Sequence, residues 1–188
     1  GTKVPTTGWR YLINQTVFDG NDGSTTHLIY ANNTPLTVRG VSFVNHGSTW
    51  AHLRKSFVTV LGSIFYDVKG VTSEDTMLTL NGCAFIECQS IGSYTGIIGP
   101  WYGSTLFCIN AVIDASDTSN GVGSLYNCQV SVRYSGVFGC TKAVCNSVSS
   151  DSFNLISCYI DSSCTYGAYG YNITLVDCTN NAATPVYN

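Results

Sequence analysis

Leu78-Thr79-Leu80-Asn81-Gly82-Cys83-Ala84-Phe85-Ile86-Glu87 reads as a strand, a tight turn at Gly82 and a second strand. Taken as a ten-position template, it recurs along the chain in windows starting at Tyr11, Leu36, Val58, Leu78, Thr105, Gly123, Phe153 and Ile173. The third position is apolar throughout: Ile13, Val38, Val60, Leu80, Phe107, Leu125, Leu155 and Leu175. The eighth reads Phe18, Phe43, Phe65 and Phe85, then Val112, Val130, Ile160 and Asn180. The fifth is mostly small or turn-forming, and the sixth collects Cys83, Cys128, Cys158 and Cys178. A shorter pattern, Tyr94-Thr95-Gly96-Ile97-Ile98-Gly99, returns as Tyr134-Ser135-Gly136-Val137-Phe138-Gly139, and Gly167-Ala168-Tyr169-Gly170 echoes both. Ala143-Val144-Cys145-Asn146 is a candidate further rung in the 30-residue gap between the windows starting at Gly123 and Phe153.

Two short strands and a bend, repeated every 18–30 residues or so, describe a solenoid coil. One coil cannot bury its inward residues, but stacked coils can, because equivalent positions then lie about 4.8 Å apart. The expected fold is all-β: a right-handed parallel β-helix of about eight irregular coils, roughly 40 Å long. The eighth position would form an internal aromatic ladder and the sixth a thiol ladder. A β-sandwich of hairpins explains the alternation equally well, but not phenylalanine in one slot four times running. The 188 residues suit a single solenoid domain, complete or a module of something longer.

The stretches 36–45 and 78–88, with apolar and Asn/Cys ladders at a bend, resemble the right-handed parallel β-helix superfamily. That superfamily includes pectate-lyase-like enzymes, phage tailspikes and adhesin repeats. The Gly-x-x-Gly segments followed by Leu-Thr-Leu-x-Gly-Cys-x-Phe also resemble the repeats of polymorphic outer-membrane surface proteins. The resemblance implies the fold far more than a function. The superfamily's usual catalytic signatures, an Asp-Asp pair with downstream Gly-His-Gly and Arg-x-Lys, are missing here.

Only 10% of residues are charged, so Ser, Thr, Asn, Gly and Tyr must cover the surface. That suits an extracellular, cell-surface or virion setting. The net charge of −3, without a basic stripe, argues against nucleic acid as a partner. No apolar run is long enough to span a membrane. Nine cysteines cannot all pair internally, and none has zinc-site spacing. Buried thiols in the sixth slot are expected, with Cys88, Cys108, Cys140, Cys145 and Cys164 better placed for disulfides.

In the tenth position, Asp67, Glu87 and Asp114 follow Asn45. Stacked carboxylates raise one another's pKa, which can make a general acid, and their oxygens can hold calcium. The plainer reading is an acidic residue ending each second strand at a solvated turn. Aromatics gather between windows: Trp50, Tyr94, Trp101, Tyr102, Tyr166, Tyr169 and Tyr171. Exposed rings stack on sugar faces or anchor interfaces. Residues 46–55 concentrate acid–base side chains in His46, His52, Arg54 and Lys55. Asn14, Asn32 and Asn172 head glycosylation sequons, relevant in a secretory eukaryote. A threonine row at the second position (Thr37, Thr59, Thr79, Thr174) raises ice binding as a weaker alternative. The preferred expectation is a non-enzymatic structural or adhesive module of a surface fibre. It would contact glycans or neighbouring subunits and need no cofactor. The main alternative is a polysaccharide hydrolase or lyase using the carboxylate column.

Overall fold

The computed structural model describes residues 16–19, 27–91, 95–115 and 119–187. Its strands pair in parallel, and among the described residues there is no helix. One seven-stranded sheet stacks Leu36–Arg39, Phe57–Leu61, Met77–Asn81, Thr105–Ile109, Gln129–Arg133, Ser152–Ile156 and Ile173–Val176. Each coil contributes one of these strands, so the solenoid has about seven coils rather than eight. Two-residue hairpins cannot join parallel strands, so the β-sandwich alternative is overturned.

The register confirms some windows and moves others. Leu36 pairs with Val58 and Val58 with Leu78, as the template requires. Thr16 and Phe18 pair with Val41 and Phe43, matching the second half of the first window, whose earlier positions lie outside the described residues. Leu78, however, pairs with Leu106 rather than Thr105. Leu106 pairs with Val130, so the Gly123 window is out of register. Val130, Phe153 and Ile173 complete the series.

The corrected series explains the bend. Its fifth positions are Gly40, Gly62, Gly82, Asn110, Tyr134, Ser157 and Asp177, all with φ between +50° and +64°. A left-handed residue swings the chain from one sheet to the next. Glycine does this freely and Asn or Asp tolerates it. Tyr134 and Ser157 are held there by their neighbours. Each of the first six N–H groups donates to the carbonyl just before the next coil's bend, at 2.9–3.1 Å: Gly40 to Leu61, Gly62 to Asn81, Gly82 to Ile109, Asn110 to Arg133, Tyr134 to Ile156 and Ser157 to Val176.

Inward positions fill the column. Phe18, Phe43, Phe65 and Phe85 stack with centroids 5.7, 5.0 and 4.5 Å apart. Ile113, Val137 and Ile160 continue the ladder, in place of the expected Val112 and Val130. Val112 points outward, 46% exposed. At the sixth position Ser63, Cys83, Ser135, Cys158 and Cys178 each donate to the carbonyl two residues earlier. Thiol and hydroxyl thus serve one capping role. Cys128 leaves this slot for the column two residues ahead of each window, where its N–H donates to Asp151 Oδ1 at 2.9 Å.

The third side differs along the length. In the early coils the long strands Val41–Arg54 and Ile64–Glu74 cross the second corner and supply it themselves. In later coils it is a separate sheet of Asn120–Ser124, Lys142–Asn146, Tyr166–Gly170 and Thr184–Tyr187. Ala143-Val144-Cys145-Asn146 therefore belongs to this side and is not an extra rung. Glycine permits the close approach here: a Cβ on Gly121 would lie 2.6 Å from Ala143 O. No helix among the described residues is long and apolar enough to cross a membrane.

Candidate functional site

A cleft of about 520 Å³ opens over the C-terminal coils, lined by Leu125, Tyr126, Asn146, Ser147, Val148, Tyr169, Gly170, Tyr171 and Tyr187. The third sheet builds it. Tyr169 and Tyr187 are register partners on adjacent strands, and their rings stack at 4.8 Å and 8°. Tyr166 meets them edge-on at 5.4 and 5.5 Å. Lys142 Nζ sits 4.3 Å from the Tyr169 centroid, a cation–π contact that holds this ring from the neighbouring coil. Asn146 fastens the floor. Its Oδ1 accepts from Ser124 Oγ and Val148 N–H, and its Nδ2 donates to Tyr171 O. Tyr126, Tyr171 and Tyr187 are each about half exposed, at 48%, 58% and 48%. No charged side chain lines the cleft. Rigid ring faces with hydroxyls at their rims suit a ligand with one apolar and one hydroxylated face.

Of the aromatics singled out from sequence, Tyr166, Tyr169 and Tyr171 lie at this cleft. Tyr102 is exposed at its far edge, stacked on Tyr126 at 5.1 Å, with Trp101 half-buried beside it at 6.3 Å. Tyr94 lies outside the described residues. Trp50 is a correction: it is fully buried, packed on Phe65 at 4.6 Å and Phe85 at 6.3 Å, and offers no face to a ligand. Sequence reasoning missed Tyr126, Tyr187 and Lys142. The usable signal was Val186-Tyr187, which repeats Ala168-Tyr169 in the same register.

The carboxylates lie at the second corner. Asn45, Asp67 and Glu87 share the tenth position, all left-handed, with φ of +53°, +48° and +53°. Asn and Asp suit that conformation, which accounts for their presence structurally. Asp114 is one position short, paired with Ile86. Glu87 accepts a 2.7 Å hydrogen bond from Tyr66. Burial, and then that bond, pushes the Tyr66 phenol up to about 12. Burial raises the Asp114 carboxyl, with Glu87 and Asp161 adding to it. Asp161 is held below its ordinary value by the Ser163 hydroxyl and amide and by Tyr159. A groove of about 480 Å³ runs from the first bend at Tyr134, Ser157 and Asp177 to Phe138, the register partner of Asp114.

All three histidines meet near the long strands. His52 stacks on His27 at 5.0 Å and on Tyr30 at 5.6 Å, while His46 is buried with neither ring nitrogen hydrogen-bonded. Arg54 pairs with Glu74 at 3.1 Å. Two imidazoles here contact hydroxyls, His52 Nδ1 with Thr72 Oγ1 at 3.0 Å and His27 Nδ1 with Thr49 Oγ1. Among the described residues, no three His, Cys, Asp or Glu side chains are grouped to hold a metal ion. Asn32 and Asn172 are exposed, with Asn172 Nδ2 donating to Ser149 O; Asn14 lies outside the described residues. No family model matches the chain, and no curated protein is significantly similar to it.

Proposed function

We propose that the chain is a non-catalytic β-solenoid module that binds a glycan in the tyrosine cleft, as part of an extracellular or virion surface fibre. The observation that carries this reading is the pre-ordered, uncharged Tyr126/Tyr169/Tyr171/Tyr187 surface on a rigid sheet. The resemblance to the surface members of the right-handed β-helix superfamily and the low charge support it. Glycan-array screening followed by calorimetry tests it. Tyr187→Ala and Tyr171→Ala should each weaken the best ligand at least about fivefold, since stacking of this kind contributes about 1–3 kcal/mol. Their thermal unfolding should stay near wild type. No binding on the array, or binding indifferent to both changes, refutes the proposal.

A second reading has one observation in its favour: Asp114 carries a raised pKa beside Glu87 and next to an aromatic groove. This is the polysaccharide hydrolase or lyase using Asp67, Glu87 and Asp114, with calcium as the ion such oxygens would hold. Polysaccharide turnover that disappears in Glu87→Gln would replace the first reading with this one.

A further inference from the structure

Two thiols face each other across adjacent coils inside the wall. Cys140 follows the second corner of the fifth coil, and Cys164 holds the equivalent place in the sixth. The register is fixed by Thr165 N–H donating to Cys140 O at 3.0 Å, Tyr166 N–H donating to Thr141 O at 2.9 Å, and Lys142 pairing with Tyr166. The two Cα atoms are therefore one strand spacing apart, about 4.8 Å, within the range a disulfide spans. Both side chains are buried. Interaction with Cys140 holds the Cys164 thiol down to about 7, and interaction with Cys164, together with burial, pushes Cys140 up.

Five of the other seven cysteines have no thiol opposite them in the register. Cys88 stacks with Ala115, Cys108 with Leu80 and Val132, and Cys145 with Gly123 and Tyr169. Cys158 and Cys178 are also neighbours, but the Cys178 sulfur accepts the Cys158 N–H, and both thiols cap their own coil. Cys140 likewise donates to Phe138 O at 3.1 Å and Cys164 to Val137 O at 3.6 Å, so what sets this pair apart from Cys158 and Cys178 is that both of its thiols are buried, whereas Cys178 is partly exposed.

We propose that Cys140 and Cys164 form an intramolecular disulfide that staples the fifth coil to the sixth. The co-reactant is a small-molecule disulfide. The Cys164 thiolate attacks one sulfur of that reagent, its proton passing to the first thiol released, and a mixed disulfide forms. The Cys140 sulfur then attacks Cys164, expelling the second thiol, which takes the Cys140 proton. Two S–H bonds are lost, one S–S bond forms, and the reagent is reduced to two thiols.

The experiment refolds the full chain in a glutathione/glutathione-disulfide buffer and, separately, in dithiothreitol. Each sample is then denatured in acid, alkylated and mapped by mass spectrometry. The oxidised sample should lose two of its nine alkylatable thiols, and one cross-linked species should carry Cys140 and Cys164. Its unfolding temperature should rise by roughly 5–10 °C and fall back on reduction. Cys164→Ser should abolish cross-link and shift together, whereas Cys83→Ser should keep both. If a variant fails to fold, mapping of the native chain still decides. Nine alkylated thiols after oxidation, a Cys158–Cys178 bridge, or cross-links only between chains would each overturn the proposal.

Discussion

At Tyr134 an exposed aromatic residue adopts a φ of +50°, at a position where three other coils place glycine. A bulky side chain in the left-handed region costs on the order of 1–2 kcal/mol, and nothing in the local sequence offsets it. Its N–H joins the corner ladder through Ile156 O at 3.1 Å, so the ladder, not residue preference, holds the bend. Tyr134→Gly should therefore stabilise the protein by about 1 kcal/mol in urea denaturation, because glycine keeps the same hydrogen bond without the strain. The reciprocal change, Gly82→Ala, should destabilise by a similar amount, although a methyl group there meets only Gly62 atoms at 3.9 Å. A destabilising Tyr134→Gly, or a neutral or stabilising Gly82→Ala, would mean that packing, not φ, decides these positions.

At the scale of elements, two features govern the early coils: which strands turn sharply and which run on. The strand Val41–Arg54 runs across the second corner and carries His46, Thr49 and His52 to one place, where His27 docks. Burial, then the proximity of His52, holds His27 below its ordinary 6.5, against the opposing bond to Thr49. A base with a lowered folded pKa binds fewer protons folded than unfolded. Its contribution to stability is therefore intact above pH 6.5 and is lost as the solution is acidified toward the folded value. Asp114, raised instead, acts in the opposite sense: acidification stabilises through it. Urea midpoints taken between about pH 7 and pH 5 in an Asp114→Asn background should fall, and His27→Gln should flatten that slope. An unchanged slope would remove His27 from the account. These elements also show what a linear pattern can carry. Where the bend used glycine, at Gly40, Gly62 and Gly82, the template landed in register. Where it used Asn110 and Tyr134, the cue vanished and Cys128 drew the window to the wrong place, whereas the windows bending at Ser157 and Asp177 kept their register with Cys158 and Cys178 in the sixth slot. The third sheet was invisible because Asn120–Ser124 and Tyr166–Gly170 are glycine-rich and lack alternation. The cleft depends on that sheet, so Tyr166 and Tyr169 stood out by composition while Tyr126 and Tyr187 did not. Trp50 misled because continuity across the second corner turns it into the core.

For the whole molecule, each coil touches mainly the coils above and below, as the pairings from Leu36 through Ile173 show. Stability in such a column is a sum of coil terms and neighbour terms, so damage should spread over a limited distance. Phe65 is the place to test this. It lies between Phe43 and Phe85 at 5.0 and 4.5 Å, with Trp50 at 4.6 Å. Phe65→Ala should cost about 3–5 kcal/mol locally, the usual result of emptying so large a buried site. Native-state hydrogen exchange should then show lost protection at Val58, Val60, Leu78 and Leu80. Phe153, Leu155 and Ile173 should keep theirs. Leu155→Ala should give the mirror-image pattern and loosen the coils that carry Tyr169 and Tyr187. If either change lowers protection evenly along the chain, the solenoid opens as one cooperative unit instead. The distinction bears on the proposed glycan binding: with limited spreading, Phe65→Ala should leave that affinity unchanged while Leu155→Ala should weaken it. Ligand titrations on the two variants would therefore measure coupling along the column independently of exchange.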